Sequence, residues 1–230
     1  MGSFVELTAV DGVKIPAYVA KPEGAARGAI VVLQEIFGVN AHIRSVADRY
    51  AAQGYVAVAP ALFQRVQPNV ELGYTEADMK QGFALKGDVE SLPAPGVLRD
   101  VDAAVAYAAE LVPGGKIGVV GFCWGGLMTW RAACNLGSVA AAVCYYGGGM
   151  TGELEANRQT LCPVLAHFGD KDHFISLESV EAFKLAQPKV EVQIYAADHG
   201  FNCDMRGSYD EAAAKLANER TLAFFQQNLG

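Results

Sequence analysis

The sequence predicts an α/β fold with a mostly parallel central sheet, helices on both faces and an antiparallel hairpin at its N-terminal end. Two observations predict this class. Short, nearly continuous apolar runs alternate along the chain with stretches of helical periodicity, as in parallel strands joined by crossover helices. Before them stand two stretches in which apolar and polar residues alternate, a pattern typical of paired strands with one exposed face.

The hairpin is predicted around a turn near the beginning of the chain. Phe4–Val10 and Val13–Ala20 alternate in hydropathy and are separated by Asp11 and Gly12. Asp-Gly is favoured in two-residue hairpin turns because both residues tolerate a positive φ. The two stretches are therefore expected to pair as antiparallel strands.

The remaining strands and helices follow in alternation. The predicted strands are Ala29–Gln34, Tyr55–Pro60, Lys116–Phe122, Ala140–Tyr146, Pro163–Phe168 and Val190–Tyr195. The predicted helices are Ala41–Gln53, Val97–Leu111, Gly126–Leu136, Leu177–Leu185 and Tyr209–Leu229. Segment 61–96 lacks clear periodicity and is too long for an ordinary connection, so it is expected to cover a functional site. No internal repeat or low-complexity linker is present, and residues 1–230 are expected to form one domain.

Composition and charge limit the class of protein. The chain has 230 residues, 52% hydrophobic and 19% charged, with 18 Lys and Arg against 25 Asp and Glu for a net charge of −7. Such an apolar chain has enough surface to bury on folding, which excludes a disordered protein. The acidic balance argues against nucleic-acid binding, which requires a basic face. Five cysteines without tight paired spacing favour reduced thiols over a disulfide framework.

No targeting or anchoring signal is predicted. The opening residues lack the basic stretch and apolar core of a signal peptide, and Glu6 stands where a myristoylation signal requires Ser or Thr. No window approaches the roughly 18 apolar residues of a membrane span. We therefore expect a cytoplasmic protein that binds neither membranes nor nucleic acid, and no obligatory protein partner is indicated.

The strongest functional motif lies where the predicted strand Lys116–Phe122 runs into a helix. There Gly121, Cys123 and Gly125 form G-x-C-x-G, the thiol counterpart of G-x-S-x-G. That motif places a nucleophile on a tight strand-to-helix turn, whose neighbours two residues away must be very small. The helix start also supplies N–H groups that favour a thiolate and an oxyanion. A strand before the motif and a helix after it are the context that this turn requires, so Cys123 is predicted to be a nucleophile.

A thiol nucleophile needs a base, and four histidines compete for that role. His42 begins an amphipathic helix and is expected on the surface, whereas His167 lies in an apolar strand and is expected in the core. His173 directly follows Asp172, and adjacent side chains do not readily make the near-linear contact of a triad. His199 lies in a loop after a strand and follows the acid in the order nucleophile, acid, histidine, which makes it the best candidate.

The orienting acid is expected just after the strand Pro163–Phe168. Asp170 and Asp172 both qualify by position. The same stretch also suggests a metal site formed by His167, Asp170, Asp172 and His173, since all four are legitimate ligands. Their spacing matches no ligand pattern, so no metal is predicted.

Five stretches of the chain form a recognisable set. They are Gln34-Glu35-Ile36-Phe37-Gly38-Val39-Asn40, Gly121-x-Cys123-x-Gly125-Gly126, Gly169-x-x-Asp172-His173-Phe174, His199-Gly200-Phe201 and Ala217-Asn218-Glu219-Arg220-Thr221. Together they resemble the dienelactone hydrolase (carboxymethylenebutenolidase) family, from about residue 29 to the C-terminal end. The cysteine elbow combined with the Gln-Glu-Ile-Phe-Gly stretch is far more specific than either alone.

The resemblance implies an α/β-hydrolase fold with a Cys–His–Asp triad. Cys123 matches the family's nucleophile, His199 its base and Asp172 its acid. The backbone N–H groups of Ile36 and Trp124 match its oxyanion hole.

The resemblance also implies residues that handle the substrate. Glu35 matches an active-site glutamate, and at the carboxyl edge of a buried strand it could accept a hydrogen bond from the Cys123 thiol until an anionic substrate competes. The alternative for Glu35 is an ordinary surface ion pair. Arg206 and Phe37 match substrate-binding positions, and Lys80 lies only near the place of the family's other basic residue. Lysine offers a point charge rather than a bidentate fork.

The predicted reaction is hydrolysis of an enol-lactone or another activated ester through a thioester, with no metal or organic cofactor. The expected partner is a small anionic lactone or ester. Ring opening would release an enolate, a leaving group good enough for a thiol nucleophile. Two alternatives stay open: a broader carboxylesterase or thioesterase with another substrate, and a non-catalytic α/β-hydrolase that binds a small ligand.

The other four cysteines are expected to have no part in the chemistry. Cys134, Cys144 and Cys162 stand in apolar helix, strand and strand-edge settings, where free cysteine is a small core residue. Cys203, four residues after His199, is expected near the pocket.

Overall fold

One sheet of eight strands forms the centre of the computed structural model, which describes residues 2–230. The strands are β1 (Ser3–Thr8), β2 (Lys14–Ala20), β3 (Ala29–Leu33), β4 (Val56–Pro60), β5 (Ile117–Phe122), β6 (Ala141–Tyr145), β7 (Val164–Gly169) and β8 (Glu191–Tyr195). The helices are α1 (Ala41–Ala52), α2 (Glu76–Glu90), α3 (Leu98–Leu111), α4 (Trp124–Asn135), α5 (Glu153–Ala156), α6 (Leu177–Ala186) and α7 (Glu211–Leu229). Among residues 2–230, no helix combines the length and the apolar character needed to cross a membrane.

The strands are arranged in the order β1-β2-β4-β3-β5-β6-β7-β8. β1 pairs with β2 and β2 with β4 in antiparallel register, whereas β3 to β8 pair in parallel. Helices cover the sheet: α1 packs against α7 through Tyr50 and Phe225, whose ring centroids lie 6.1 Å apart, and α3 packs against α4. The predicted parallel sheet with an N-terminal hairpin is confirmed, and the strand order is that of the α/β-hydrolase fold.

All eight predicted strands and all five predicted helices are present, with ends shifted by a few residues. The helix predicted from Gly126 begins at Trp124, and the one predicted from Tyr209 begins at Glu211. Two helices, α2 and α5, lie outside the predictions. α2 begins with a capping box between Thr75 and Asp78, but its buried residues are few and form no long apolar stripe, because the helix covers the site rather than the core.

The carboxyl ends of the parallel strands meet at one edge of the sheet, where ligands bind in open α/β sheets. Four of the segments that follow these strands carry predicted site residues. Glu35 and Ile36 follow β3, Cys123 follows β5, Asp172 follows β7 and His199 follows β8. The topology therefore gathers residues that are more than 160 positions apart in the chain.

A charged network fastens the hairpin and segment 61–96 to α3. Arg65 donates to both carboxylate oxygens of Asp100, and its NH1 and NH2 groups donate to Asp11 at 2.7 and 3.0 Å. Arg99 also donates to Asp11, at 2.8 Å. The Asp100 side chain is completely buried, and burial raises its pKa even though Arg65 opposes that effect. The network thus contains a buried carboxylate whose charge is balanced by Arg65.

We predict that Arg65→Ala lowers the free energy of unfolding by about 3–5 kcal/mol, because it leaves Asp100 buried without a counter-ion. Urea unfolding followed by circular dichroism measures the change. Lys14→Ala is the control, since the Lys14–Glu6 pair is exposed and should contribute less than about 1 kcal/mol. Equal losses in the two variants would contradict the assignment.

Candidate active site

Cys123 occupies a sharp turn between β5 and α4. Its φ of 54° and ψ of −118° lie in a region that residues other than glycine rarely adopt. Its N–H donates to the Tyr145 carbonyl of the neighbouring strand β6 at 3.0 Å. The thiol is partly exposed and faces a cavity. The turn has the geometry expected of a nucleophile elbow.

Gly121 and Gly125 have no room for a side chain. A Cβ on Gly121 would overlap the Gly125 carbonyl, and a Cβ on Gly125 would overlap the carbonyls of Leu33 and Gln34 at the end of β3. The first turn of α4 therefore packs directly on two strands. This close approach explains the spacing of the G-x-C-x-G motif.

His199 and Asp172, the base and acid expected from the motif order, contact each other. Nδ1 of His199 lies 2.7 Å from Oδ2 of Asp172, and both side chains are almost completely buried. The other oxygen of Asp172 accepts hydrogen bonds from the N–H groups of Phe174 at 2.8 Å and Ile175 at 3.1 Å. These bonds fix the carboxylate, so it holds the Nδ1–H tautomer and leaves Nε2 for the thiol. Asp170, the other candidate acid, is exposed.

Backbone hydrogen bonds bring the acid and base loops together. The N–H of Asp170 donates to the Tyr195 carbonyl at 2.8 Å, and the N–H of Lys171 donates to the Ala197 carbonyl at 3.1 Å. These bonds extend the pairing of β7 and β8 past the strand ends. The positions of Asp172 and His199 are therefore set by the sheet rather than by flexible loops.

The surroundings of His199 favour its charged form. Burial alone would lower its pKa, but the charge of Cys123 and hydrogen bonds to Asp172 and Cys123 outweigh burial and raise the pKa to about 10. At neutral pH the ring is then an imidazolium next to the thiol. A neighbouring cation favours the thiolate, which is the nucleophilic form of cysteine.

The other three histidines lie away from this pair. His167 is buried between the hydroxyls of Tyr195 and Thr221, at 2.8 and 3.0 Å, and burial lowers its pKa to about 3, so its expected core position is confirmed. His173 has 86% of its side chain exposed. The expected surface position of His42 is wrong, because the loop after β8 covers the first turn of α1 and buries this side chain completely.

A cavity of about 390 Å³ opens at the carboxyl edge of the sheet. The predicted site residues that line it are Ile36, Phe37, Cys123, Trp124, His199 and Arg206. Apolar side chains make up much of the remaining wall, and they belong to Met79, Phe83, Leu127 and Phe174. A small organic molecule of mixed polarity fits such a site.

Two backbone N–H groups are available to an oxyanion in this cavity. Trp124 is the first residue of α4, where N–H groups have no acceptor within the helix. Ile36 follows β3, and its N–H donates no hydrogen bond within residues 2–230. Both residues line the cavity together with Cys123. A carbonyl oxygen of a substrate attacked by the thiol would therefore lie near two donors.

Glu35 lies behind the cavity wall and pairs with Arg206. Oε1 of Glu35 accepts a hydrogen bond from NH1 of Arg206 at 2.9 Å, and both side chains are largely buried. The guanidinium also stacks over the Phe37 ring, 5.7 Å from its centroid. Within residues 2–230 the expected hydrogen bond from the Cys123 thiol to Glu35 is absent. The carboxylate is held by Arg206 instead, since a charged guanidinium is a stronger hydrogen-bond donor to a buried carboxylate than a thiol is.

Comparison with known proteins identifies the family. A family model described as the dienelactone hydrolase family matches residues 15–229. The chain belongs to the dienelactone hydrolase family. This membership confirms the resemblance seen in the sequence and the expectation of an enzyme that hydrolyses esters or lactones.

Three relatives of this chain match it over nearly their whole length. The carboxymethylenebutenolidase of Pseudomonas putida is 36% identical over 227 residues, which cover 96% of this chain and 94% of that protein. A Synechocystis sp. protein, provisionally named carboxymethylenebutenolidase, is 37% identical over a region that covers 94% of this chain and 93% of that protein. A provisionally named dienelactone hydrolase from Klebsiella pneumoniae, known from its crystal structure, is 32% identical in sequence. Its structure matches this one with a TM-score of 0.84 over 99% of this chain and 98% of that chain. The α/β-hydrolase fold is thereby confirmed.

Lys80 does not line the cavity. It is exposed on α2, whereas the α2 residues that line the cavity are Met79, Phe83, Lys86 and Glu90. These positions are three or four residues apart and therefore share one face of the helix. Lys80, the residue after Met79, is turned about 100° around the helix axis from Met79 and leaves that face. Because α2 was not predicted from the sequence, the residues of this segment that face the cavity, including Lys86, could not be identified before the structure.

Two other groups near the site carried no motif in the sequence. Arg131 on α4 lines the cavity and is tied to Glu155 at 2.8 Å. Tyr146 has a φ of 37° and a buried hydroxyl without a partner within residues 2–230, and its ring centroid lies 5.1 Å from that of His199. Tyr146 is the last residue of the predicted strand Ala140–Tyr146, and a non-glycine residue there gives no signal of positive φ, so only the fold could reveal it.

We predict that the charge on His199 keeps Cys123 reactive at neutral pH. At pH 6.5, below the His199 pKa of about 10, iodoacetamide should alkylate Cys123 at least about tenfold faster in the wild type than in His199→Asn. The difference should shrink at alkaline pH, because the thiol of the variant then ionises without a neighbouring cation and both proteins carry a thiolate. Alkylation is located by peptide mass spectrometry, with Cys123→Ser as the blank. Equal rates at pH 6.5 would contradict an activating histidine.

Proposed function

We propose that this protein hydrolyses a small enol-lactone, or a similarly activated ester, through a thioester on Cys123. The observation that carries the proposal is the 2.7 Å contact between Asp172 and His199 beside a cysteine held in the elbow conformation. Ile36 and Trp124 line the same cavity. Nucleophile, base, orienting acid and oxyanion donors are thus collected at one point.

In the first half of the reaction the Cys123 sulfur attacks the substrate carbonyl. His199 holds the thiol proton as an imidazolium, and Asp172 stabilises that charge. The carbonyl oxygen becomes an oxyanion that accepts hydrogen bonds from the N–H groups of Ile36 and Trp124. Removing one such donor typically costs about 3–4 kcal/mol of transition-state stabilisation.

Collapse of the tetrahedral intermediate breaks the ring C–O bond and forms the thioester. For an enol-lactone the departing group is an enolate, which takes the proton from the His199 imidazolium and becomes a ketone. In the second half, neutral His199 takes a proton from water, and the resulting hydroxide attacks the thioester. Collapse of the second intermediate expels the Cys123 thiolate, which is left beside the His199 imidazolium, and the product acid releases its proton to solvent as a carboxylate.

The charges around the cavity favour an anionic substrate. Three cationic side chains, Lys86, Arg131 and Arg206, line it; each has a carboxylate partner, but of the partners Glu90, Glu155 and Glu35 only Glu90 is part of the lining. The relative in Pseudomonas putida is named a carboxymethylenebutenolidase, and a carboxymethylene butenolide is an unsaturated lactone that bears a carboxylate. The cavity and the name of the relative therefore support the same substrate class.

We predict that Cys123→Ala lowers kcat for a dienelactone and for p-nitrophenyl acetate by about a thousandfold or more. Cys162→Ala, at a half-buried cysteine outside the cavity lining, should retain wild-type rates. Acid quenching during turnover should yield a peptide with an acyl group on Cys123 that neutral hydroxylamine removes. Hydrolysis by Cys123→Ala at the wild-type rate would refute the proposed thiol mechanism.

The same assay separates an enol-lactone hydrolase from a broader carboxylesterase or thioesterase. A thiol nucleophile is expelled again from the intermediate unless the other leaving group is good. We therefore expect kcat/KM to be much higher for enol esters and enol-lactones than for alkyl esters of the same acyl group. Similar values for both would favour the broader esterase.

We predict that Lys86→Gln raises KM about threefold to fivefold for a carboxylate-bearing ester, as expected for loss of one partly exposed charge contact, and leaves KM for a neutral ester unchanged. Lys80→Gln is the matched control, because it removes the same charge from the same helix outside the cavity. Arg206 is less suitable, since its removal leaves Glu35 buried without a counter-ion. Equal effects of the two lysine substitutions would refute the role of Lys86.

A further inference from the structure

Behind the cavity wall, three side chains with metal-binding atoms meet in the protein interior. A carboxylate oxygen of Glu35, a ring nitrogen of His42 and the sulfur of Cys203 lie within 4.8 Å of one another. The exposed fractions of the three residues are 1%, 0% and 0%. Neither His42 nor Cys203 lines the catalytic cavity, and no step of the proposed hydrolysis uses either. We refer to this group as the Glu35–His42–Cys203 cluster.

Two atoms of the cluster are buried without a partner. Oε1 of Glu35 binds Arg206, but Oε2 has no hydrogen-bond partner within residues 2–230. Nδ1 of His42 lies 3.1 Å from Oδ1 of Asp204, whereas Nε2 has no partner within the same residues. Buried polar atoms are nearly always satisfied, so two orphans in one cluster indicate a missing group that binds them.

Asp204 fixes the state of the His42 ring. With Nδ1–H donated to that carboxylate, Nε2 carries the lone pair and acts as an acceptor. Histidines that bind metals usually donate their other N–H to a carboxylate in this way, which orients the ring and increases its basicity. The half-exposed Asp204 also lies 3.7 Å from Arg49, so it is anchored on both sides.

We propose that the Glu35–His42–Cys203 cluster is a binding site for a thiophilic divalent cation of the Zn²⁺ type. The ligands are Oε2 of Glu35, Nε2 of His42 and Sγ of Cys203, with one coordination position left open. This set of one oxygen, one nitrogen and one sulfur suits Zn²⁺ and excludes Mg²⁺ and Ca²⁺, which prefer oxygen alone. The inference is independent of the proposed hydrolysis, because it concerns binding only.

The geometry permits tetrahedral coordination with small movements. Bond lengths of about 2.0–2.3 Å to Zn²⁺ place neighbouring ligand atoms about 3.5 Å apart. The three ligand atoms now lie within 4.8 Å of one another, so each has to move by on the order of an ångström to reach that separation.

Cation binding also changes the protons and charges of the cluster. Cys203 releases its proton to solvent, and the thiolate and Glu35 then face the cation, with the charge of Glu35 shared between the cation and Arg206. Tyr74, whose hydroxyl lies 3.3 Å from Sγ and now accepts its proton, can then donate its own to the thiolate.

Cobalt titration of the full chain tests the site. The protein carries Cys123→Ser so that the active-site thiol cannot bind the probe, and Co²⁺ is added with absorption spectroscopy and calorimetry as readouts. We expect one Co²⁺ per chain and a near-ultraviolet charge-transfer band from thiolate to Co²⁺. Zn²⁺ should displace Co²⁺ and remove the band, whereas Mg²⁺ should not.

Further substitutions in the same background identify the ligands. Cys203→Ala should abolish the charge-transfer band, and His42→Gln should weaken Co²⁺ binding at least about tenfold. Cys134→Ala and His173→Asn remove the same residue types outside the cluster and should change neither result. Asp204→Asn alters no ligand and lies at the surface, so it should fold normally and weaken binding about tenfold to a hundredfold.

Two results would overturn the proposal. One is absence of a thiolate band at millimolar Co²⁺ in a protein whose circular dichroism and thermal unfolding match the wild type, which would leave a bridging water or a shared proton as the missing group. The other is a band that survives Cys203→Ala and disappears in Cys134→Ala, which would place the metal at a different cysteine.

Discussion

A residue at φ 54° and ψ −118° costs about 1–3 kcal/mol in backbone strain, so the turn at Cys123 persists only because its surroundings hold it in place. β5 is completely buried and pairs with β3 on one side and β6 on the other. The N–H of Cys123 extends the pairing with β6 by one hydrogen bond. On the other side the helix start presses Gly125 against the end of β3. Strand pairing and the packing of α4 on the sheet therefore stabilise the strained turn that holds the thiol at the carboxyl edge of the sheet.

Around this turn the structure places four charged side chains in a largely buried environment, each with a partner of opposite charge. Asp172 faces His199 at 2.7 Å, and Glu35 faces Arg206 at 2.9 Å. Removal from water strengthens such pairs but makes an unpaired member expensive. This explains why Asp172 also receives two backbone N–H groups. The Asp172–His199 pair and the Glu35–Arg206 pair are thus separate units.

The sequence predicted the parts of the site that depend on local chemistry. A tight strand-to-helix turn demands small residues around Cys123, and that demand is visible in the spacing of Gly121 and Gly125. Burial of His42 was not predictable, because the covering loop that carries Asp204 lies 162 residues away along the chain. The wall formed by α2 was missed for a related reason. A helix that borders a cavity has no continuous apolar stripe, so neither its existence nor the inward position of Lys86 follows from periodicity.

Glu35 connects the cavity wall with the Glu35–His42–Cys203 cluster. Oε1 holds Arg206 in the cavity wall, and Oε2, which has no hydrogen-bond partner within residues 2–230, is the atom that we assign to the proposed cation. A carboxylate has a fixed negative charge to share, so a cation on Oε2 weakens the attraction that Oε1 exerts on Arg206. The guanidinium would then be freer to bind an anionic substrate. By linkage the effect is reciprocal, and a substrate that draws Arg206 away from Glu35 strengthens cation binding behind the wall.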